Sequence, residues 1–223
     1  MNNRIFNAIV LLIAVAMTGW FGFKSYVKHN KYDSNVQETE TTVSGSQEKT
    51  DSGATINHFD HLNGTYKSVK TDPPTTELLF ETYGTTATQG TFKDLEVSAT
   101  FNGTDQASIN VIIDVFSIYT AESTRDKHLK GEEFFNADKY GKISFSSNEI
   151  VKSEDGYRVK GDITFLGNTK SIEFPFTYKG SANGKENTEV FKGSFEFNPE
   201  KYGMESDAGD HVTVSFYTEL VKQ

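Results

Sequence analysis

The sequence predicts an all-β domain of about eight antiparallel strands, on three observations. From Leu78 to Leu220, apolar residues recur at every second position in successive short runs, which gives each strand one dry and one wet face. Turn pairs separate the runs, as at Asn102-Gly103, Asp155-Gly156, Gly167-Asn168 and Asn183-Gly184. No second run of helices is available to cover the dry faces, so the strands must pair as a sandwich or close into a barrel.

Each run can be read in turn. Leu78 and Phe80 open the first strand after Pro73-Pro74. Phe92, Leu95, Val97, Ala99 and Phe101 make the second, and Ile109, Val111, Ile113 and Val115 the third. Ile143 and Phe145 follow, then Tyr157, Val159, Ile163 and Phe165, then Ile172, Phe174, Phe176 and Tyr178. Phe191, Phe195 and Phe197 precede a last strand with Val212, Val214, Phe216 and Leu220. Intervening positions are polar, as in Arg158, Lys160, Asp162 and Thr164. Eight such strands enclose a space that side chains just fill or that holds one elongated ligand. The chain has 18 Phe, most of those beyond residue 23 on the dry face. Aromatic rings serve equally well as a plain core and as the wall of an apolar pocket.

Upstream lies a different kind of sequence. Ile5 to Phe23 is an apolar run broken only by Asn7, Thr18 and two glycines, nearly the ~20 residues that span a bilayer. The segment 1–32 is therefore read as a membrane anchor, in preference to a secretory signal cut after Ala14-Val15-Ala16, because the chain stays apolar through Trp20, Phe21 and Phe23. Lys24, Lys28 and Lys31 after the run oppose export by the positive-inside rule, a bias that either reading must override. Residues 33–57 are rich in Ser, Thr, Glu and Gln and read as a flexible linker, with a reach of about 25–30 Å. The domain proper is then 58–223. It begins at His58-Phe59-Asp60-His61, read as a polar lead-in, since that spacing matches no strong metal motif.

Composition narrows the function. With no Cys, neither disulfides nor thiolate metal sites arise. Residues 1–53 carry 5 Lys+Arg against 5 Asp+Glu, so the whole net charge of −9 falls on residues 54–223, with 17 against 26. An acidic domain has few cations with which to replace counterions on a phosphate backbone, and nucleic acid is set aside as a partner. The oligomeric state is open, a homodimer included.

Alternation lapses in one place, from Ser117 to Phe135, which predicts a long loop or short-helix connection. Here Arg125, Asp126 and His128 crowd together, followed by Leu129, Phe134 and Phe135. Such a cluster suits a polar ligand contact, a general base at His128, or a hydrogen-bond network closing one barrel end. A His-Glu-x-x-His set, a Gly-x-Ser-x-Gly elbow and a phosphate-binding glycine loop are all missing, so catalysis is the weakest of the three.

The residues resemble the YceI-like family. The motifs that carry the resemblance are Ser117-Ile118-Tyr119-Thr120, Arg125-Asp126-Lys127-His128-Leu129, and Phe134-Phe135-Asn136-Ala137-Asp138-Lys139-Tyr140. Ile143-Ser144-Phe145, the stretch from Gly161 to Lys170, Tyr202-Gly203 and Asp210-His211-Val212 extend it. The resemblance implies a lipocalin-like eight-stranded barrel in an exported bacterial protein of the periplasm or cell envelope. It also implies a bound polyisoprenoid, isoprenoid quinone or fatty amide, with no catalysis and no cofactor beyond that ligand. On this reading Phe145, Ile163, Phe165, Phe174, Phe176, Phe195, Phe197 and Phe216, with Ile143 and Val214, line the tunnel, while Arg125, Asp126 and His128 order its mouth. The sequence departs from the family at Pro199, near which an Arg is usual.

Overall fold

The computed structural model of the protein describes residues 47–49, 55–83, 87–204 and 211–223. The organising strand is β13 (Val212–Lys222), whose Val212, Val214, Phe216 and Leu220 all meet the core. One edge of β13 pairs along its length with β12 (Thr188–Phe197). The other edge is divided: Val212–Thr218 pairs with β4 (Thr76–Thr82), and Leu220–Lys222 with β3 (Asn63–Ser68).

From β3 the sheet runs through β6 (Leu95–Asn102), β7 (Ala107–Asp114), β9 (Lys142–Ser153), β10 (Gly156–Phe165) and β11 (Asn168–Ser181). β11 returns to β12, so eight antiparallel strands close a barrel and not a sandwich. β4 carries β5 (Thr88–Phe92) and then β8 (Ile118–Tyr119), a three-stranded flap at the end where β13 begins. That end is called the upper end below.

Seven of the eight ring strands are those that alternation predicts; the eighth is β3. Its sequence, Asn-Gly-Thr-Tyr-Lys-Ser, offers only Tyr66 as a large apolar residue, too little for a period to register. The strand read at Leu78 and Phe80 is β4, in the flap. Phe92 ends β5, and a turn at Lys93-Asp94 separates it from β6. Two further strands, β1 (Gln47–Lys49) and β2 (Thr55–Asn57), pair with each other inside the stretch read as linker. The apolar run Ile5–Phe23 lies outside the described residues, and among the described residues no helix is long and apolar enough to cross a membrane.

The lead-in at His58 is not polar, contrary to expectation. Phe59 has 0% of its surface exposed and His58 only 3%. Phe59 fills the lower end of the barrel, centred among the rings of Phe101, Tyr157, Phe176, Tyr178 and Phe191 at 4.4–6.3 Å. One apolar residue among polar neighbours carries no periodicity, so the sequence gives no sign that it is a plug.

The ladder between β11 and β12 is short, running from Ser181↔Glu189 to Thr177↔Lys192. Pro175 has no N–H to contribute, and above it the strands part. Phe174 and Phe195 span the gap as stacked rings, 4.5 Å apart and 18° from coplanar. At the top of the gap, Asn168 Nδ2 donates to the Tyr202 carbonyl at 2.8 Å and Lys170 Nζ to that of Lys201. The turn between β10 and β11 is one residue earlier than Gly167-Asn168. Phe165 pairs with Asn168, and both Leu166 (φ 48°) and Gly167 (φ 73°) adopt the left-handed conformation of a two-residue hairpin.

Candidate functional site: the barrel cavity

The connection from Ser117 to Phe135 is built from local hydrogen bonds. After β8 comes a single helix, α1 (Ser123–Leu129), whose N-cap is Glu122. The Glu122 carboxylate accepts from the backbone N–H groups of Thr124 at 2.9 Å and Arg125 at 2.6 Å. These two donors hold its pKa below the usual carboxylate range. Thr120, 1% exposed, is the hub of the connection. Its hydroxyl and backbone N–H donate to Asp126 Oδ1 at 2.6 and 2.7 Å. Arg125 Nε donates to the Thr120 hydroxyl at 2.9 Å, and Nη2 to its carbonyl at 2.8 Å. Arg125 and Asp126 therefore converge on Thr120 and do not pair directly.

Beneath α1 lies a cavity of about 380 Å³. Arg125, His128, Leu129, Phe134 and Phe135 form its roof, and Ile163, Phe165, Phe195, Phe197 and Val214 belong to its walls. Phe135 is wedged edge-on between Phe92 and Phe165, at 5.7 and 5.8 Å. Asp126 does not line the cavity; its hydrogen bonds go to Thr120. His128 sits at the rim with 64% of its side chain exposed, edge-on to Phe134 and 3.4 Å from Glu133.

A second cavity of about 130 Å³ adjoins the first lower in the barrel, and Leu78, Ile113, Ile143, Ile163 and Phe195 line both. Phe145, Phe174, Phe176 and Phe216 surround it, so every tunnel residue read from the sequence lies on one cavity or the other. Along the seam where β13 passes from β4 to β3, Thr76, Glu77, Tyr217 and Thr218 border it. Its floor is formed by Phe101, Phe176 and Phe191.

Below that floor two tyrosines are paired with carboxylates. Tyr157 Oη donates to Asp105 at 2.7 Å and meets His58 Nδ1 at 2.8 Å, and Lys152 pairs with the other Asp105 oxygen at 2.7 Å. Tyr178 Oη donates to Glu189 at 2.6 Å. Burial first, and then the adjoining carboxylate, pushes the pKa of both phenols well above the ordinary tyrosine value. Among the described residues no cluster of three or more His, Asp or Glu is placed to hold a metal ion, at His58 and His61 or elsewhere.

The sequence profile of the YceI-like domain matches residues 69–220. The chain belongs to the YceI-like family. Curated relatives include a UPF0312 protein of Yersinia pestis, 38% identical over 96 residues, or 42% of this chain and 50% of that protein. Another, from Photorhabdus laumondii, is 37% identical over 109 residues, or 48% of this chain and 56% of that protein. The chain thus spans about half the length of the curated relatives it matches. Its fold is similar to that of BcnA from Burkholderia cenocepacia, with a TM-score of 0.57, 20% identity, and 66% of this chain and 96% of that one covered. It is also similar to a polyisoprenoid binding domain from Saccharophagus degradans, with a TM-score of 0.56, 11% identity, and 73% and 100% covered.

In this YceI-like chain, Pro199 is a buried wall residue of the upper cavity and begins the 3-10 turn Pro199–Tyr202. The wall at Pro199 is apolar, and among the described residues Arg125 is the arginine that lines the cavity. Sequence reasoning also missed Leu78, Leu95, Val97, Ile109, Val111 and Ile113 as wall residues. Their alternation places them on the dry face, where aliphatic side chains serve a plain core as well as a cavity wall.

Proposed function

We propose that this barrel holds the tail of one long-chain amphiphile, a polyisoprenoid, isoprenoid quinone or fatty amide, as a carrier, store or sensor in the bacterial cell envelope. The observation that carries the reading is the pair of adjoining apolar cavities with Arg125 and His128 at one end. Burial contributes roughly 0.8 kcal/mol per methylene, so a tail of about a dozen carbons supplies several kcal/mol. A carbonyl or hydroxyl head group stays beside Arg125, since the lower cavity wall is formed almost wholly of aliphatic and aromatic side chains. The similarity in fold to the polyisoprenoid binding domain from Saccharophagus degradans supports the same ligand class. The apolar run at residues 5–23 supports a site of exchange beside the inner membrane, facing the periplasm.

Binding without catalysis fits the geometry around His128, which faces solvent next to Glu133 and Phe134 with Ser123 and Thr124 exposed on the outer side of α1. The test is native mass spectrometry of the protein expressed in bacteria, followed by binding of the co-purifying lipid to Phe165→Trp and Phe176→Trp. Each substitution narrows one of the cavities, and each is expected to weaken binding about tenfold or more. Unchanged affinity in both variants removes the tunnel.

A further inference from the structure

Phe59 is wholly buried inside the barrel, yet it belongs to none of the strands that form the ring. The segment between β2 and β3 brings it in at the lower end. It touches five rings, and three of them, Phe101, Phe176 and Phe191, are also the floor of the lower cavity. Each of the three stands between the cavity and Phe59. On the reading that the barrel holds a long-chain amphiphile, on which this inference rests, we infer that Phe59 sets the longest chain the barrel accepts.

The argument runs from the two ends. Arg125 is the cation on the cavity wall and lies at the upper end, while the lower wall is aliphatic and aromatic except along the β13 seam at Thr76, Glu77, Tyr217 and Thr218 and at Ser144, so a polar head group rests beside Arg125 and the terminal carbons of its chain come to rest on the floor rings. A floor ring yields only if there is space behind it, and protein interiors leave almost none. Here Phe59 occupies that space. The plug is itself fastened: His58 Nδ1 meets Tyr157 Oη at 2.8 Å, Leu62 N–H donates to the Phe59 carbonyl at 3.0 Å, and Gly103 N–H donates to the Leu62 carbonyl at 2.8 Å. A chain longer than the distance from Arg125 to the floor leaves its surplus methylenes in water, and they add nothing to affinity.

The test uses the full chain and straight-chain fatty acids of increasing carbon number, each competing against a fluorescent fatty acid. For the natural sequence, affinity is expected to rise roughly fourfold per added methylene and then to stop rising at a definite length. Phe59→Ala moves that break to chains several carbons longer, and Phe59→Leu, which gives up only part of the ring, moves it less in the same direction. Circular dichroism and a cooperative melt establish that each variant is folded; if the alanine variant is not, the leucine variant decides. A folded variant whose affinities fall equally at every length, with the break in place, overturns the inference and makes Phe59 a structural residue only. If the natural sequence binds no chain of any length, the amphiphile reading itself falls, and the inference with it.

Discussion

The ring of Phe216 lies across Gly193, its register partner on β12, so that a Cβ at position 193 would stand 2.6 Å from Phe216 Cζ and 2.6 Å from the Pro175 carbonyl oxygen. One of those neighbours is a side chain that can turn; the other is backbone and cannot. Gly193→Ala is therefore expected to push Phe216 into the lower cavity and to strain the junction with β11. A loss of about 1–3 kcal/mol, the usual range for overpacking, should appear in urea unfolding, together with weaker uptake of a fatty acid probe. An alanine variant as stable as the natural protein contradicts this account of the glycine.

The convergence of Arg125 and Asp126 on Thr120 separates two roles within one motif. Asp126→Ala leaves the buried hydroxyl and N–H of Thr120 without their acceptor, and is expected to cost about 1–3 kcal/mol. His128→Ala, at an exposed rim position, should change stability by less than about 0.5 kcal/mol. Urea unfolding of the two variants side by side checks the difference. A reversed order would return His128 to the centre of the connection.

These contrasts mark what was legible in the sequence. Alternation identified seven ring strands, because each has one face against the core and the other in water. It could not identify β3, whose single Tyr66 shows no period, nor the plug, where Phe59 acts alone. The residues that line the cavities were legible as inward positions, since strand parity settles the face. The roles of Arg125 and Asp126 were not, because hydrogen-bond direction depends on where Thr120 lies, and nothing in spacing alone says that.

Three phenols report on burial at alkaline pH. Tyr157, Tyr178 and Tyr217 are all held above the ordinary tyrosine value near 10, chiefly by burial and then by Asp105, Glu189 and Glu219 respectively. A group whose folded pKa is raised stabilises the fold fully below its unfolded pKa, and loses that contribution as pH rises through the folded one. Stability should thus hold up to about pH 10 and decline above it. Of the chain's 10 tyrosines, at least these three are expected to ionise only as the barrel unfolds. Tyrosinate absorbance and circular dichroism followed along one titration check this, and smooth ionisation of all ten in a folded barrel would contradict it.

The parting of β11 and β12 above Pro175 gives a kinetic prediction. There a stack of Phe174 on Phe195 stands where ladder hydrogen bonds would otherwise close the wall, and both rings are only half-buried. An aromatic pair of this kind contributes about 0.5–1.5 kcal/mol beyond its burial, far less than a run of strand pairing. The gap is consequently the most easily opened part of the wall beside the cavities that Phe195 lines. Phe195→Ala removes one ring, and both association and dissociation of a fatty acid probe are expected to quicken by about three- to tenfold. Ile163→Val trims a wall residue on a strand that is fully paired, and should speed dissociation alone. Stopped-flow fluorescence resolves the two rates. If association in Phe195→Ala stays at its original rate while dissociation rises, the ring is wall and not gate, and exchange proceeds past α1 at the upper end.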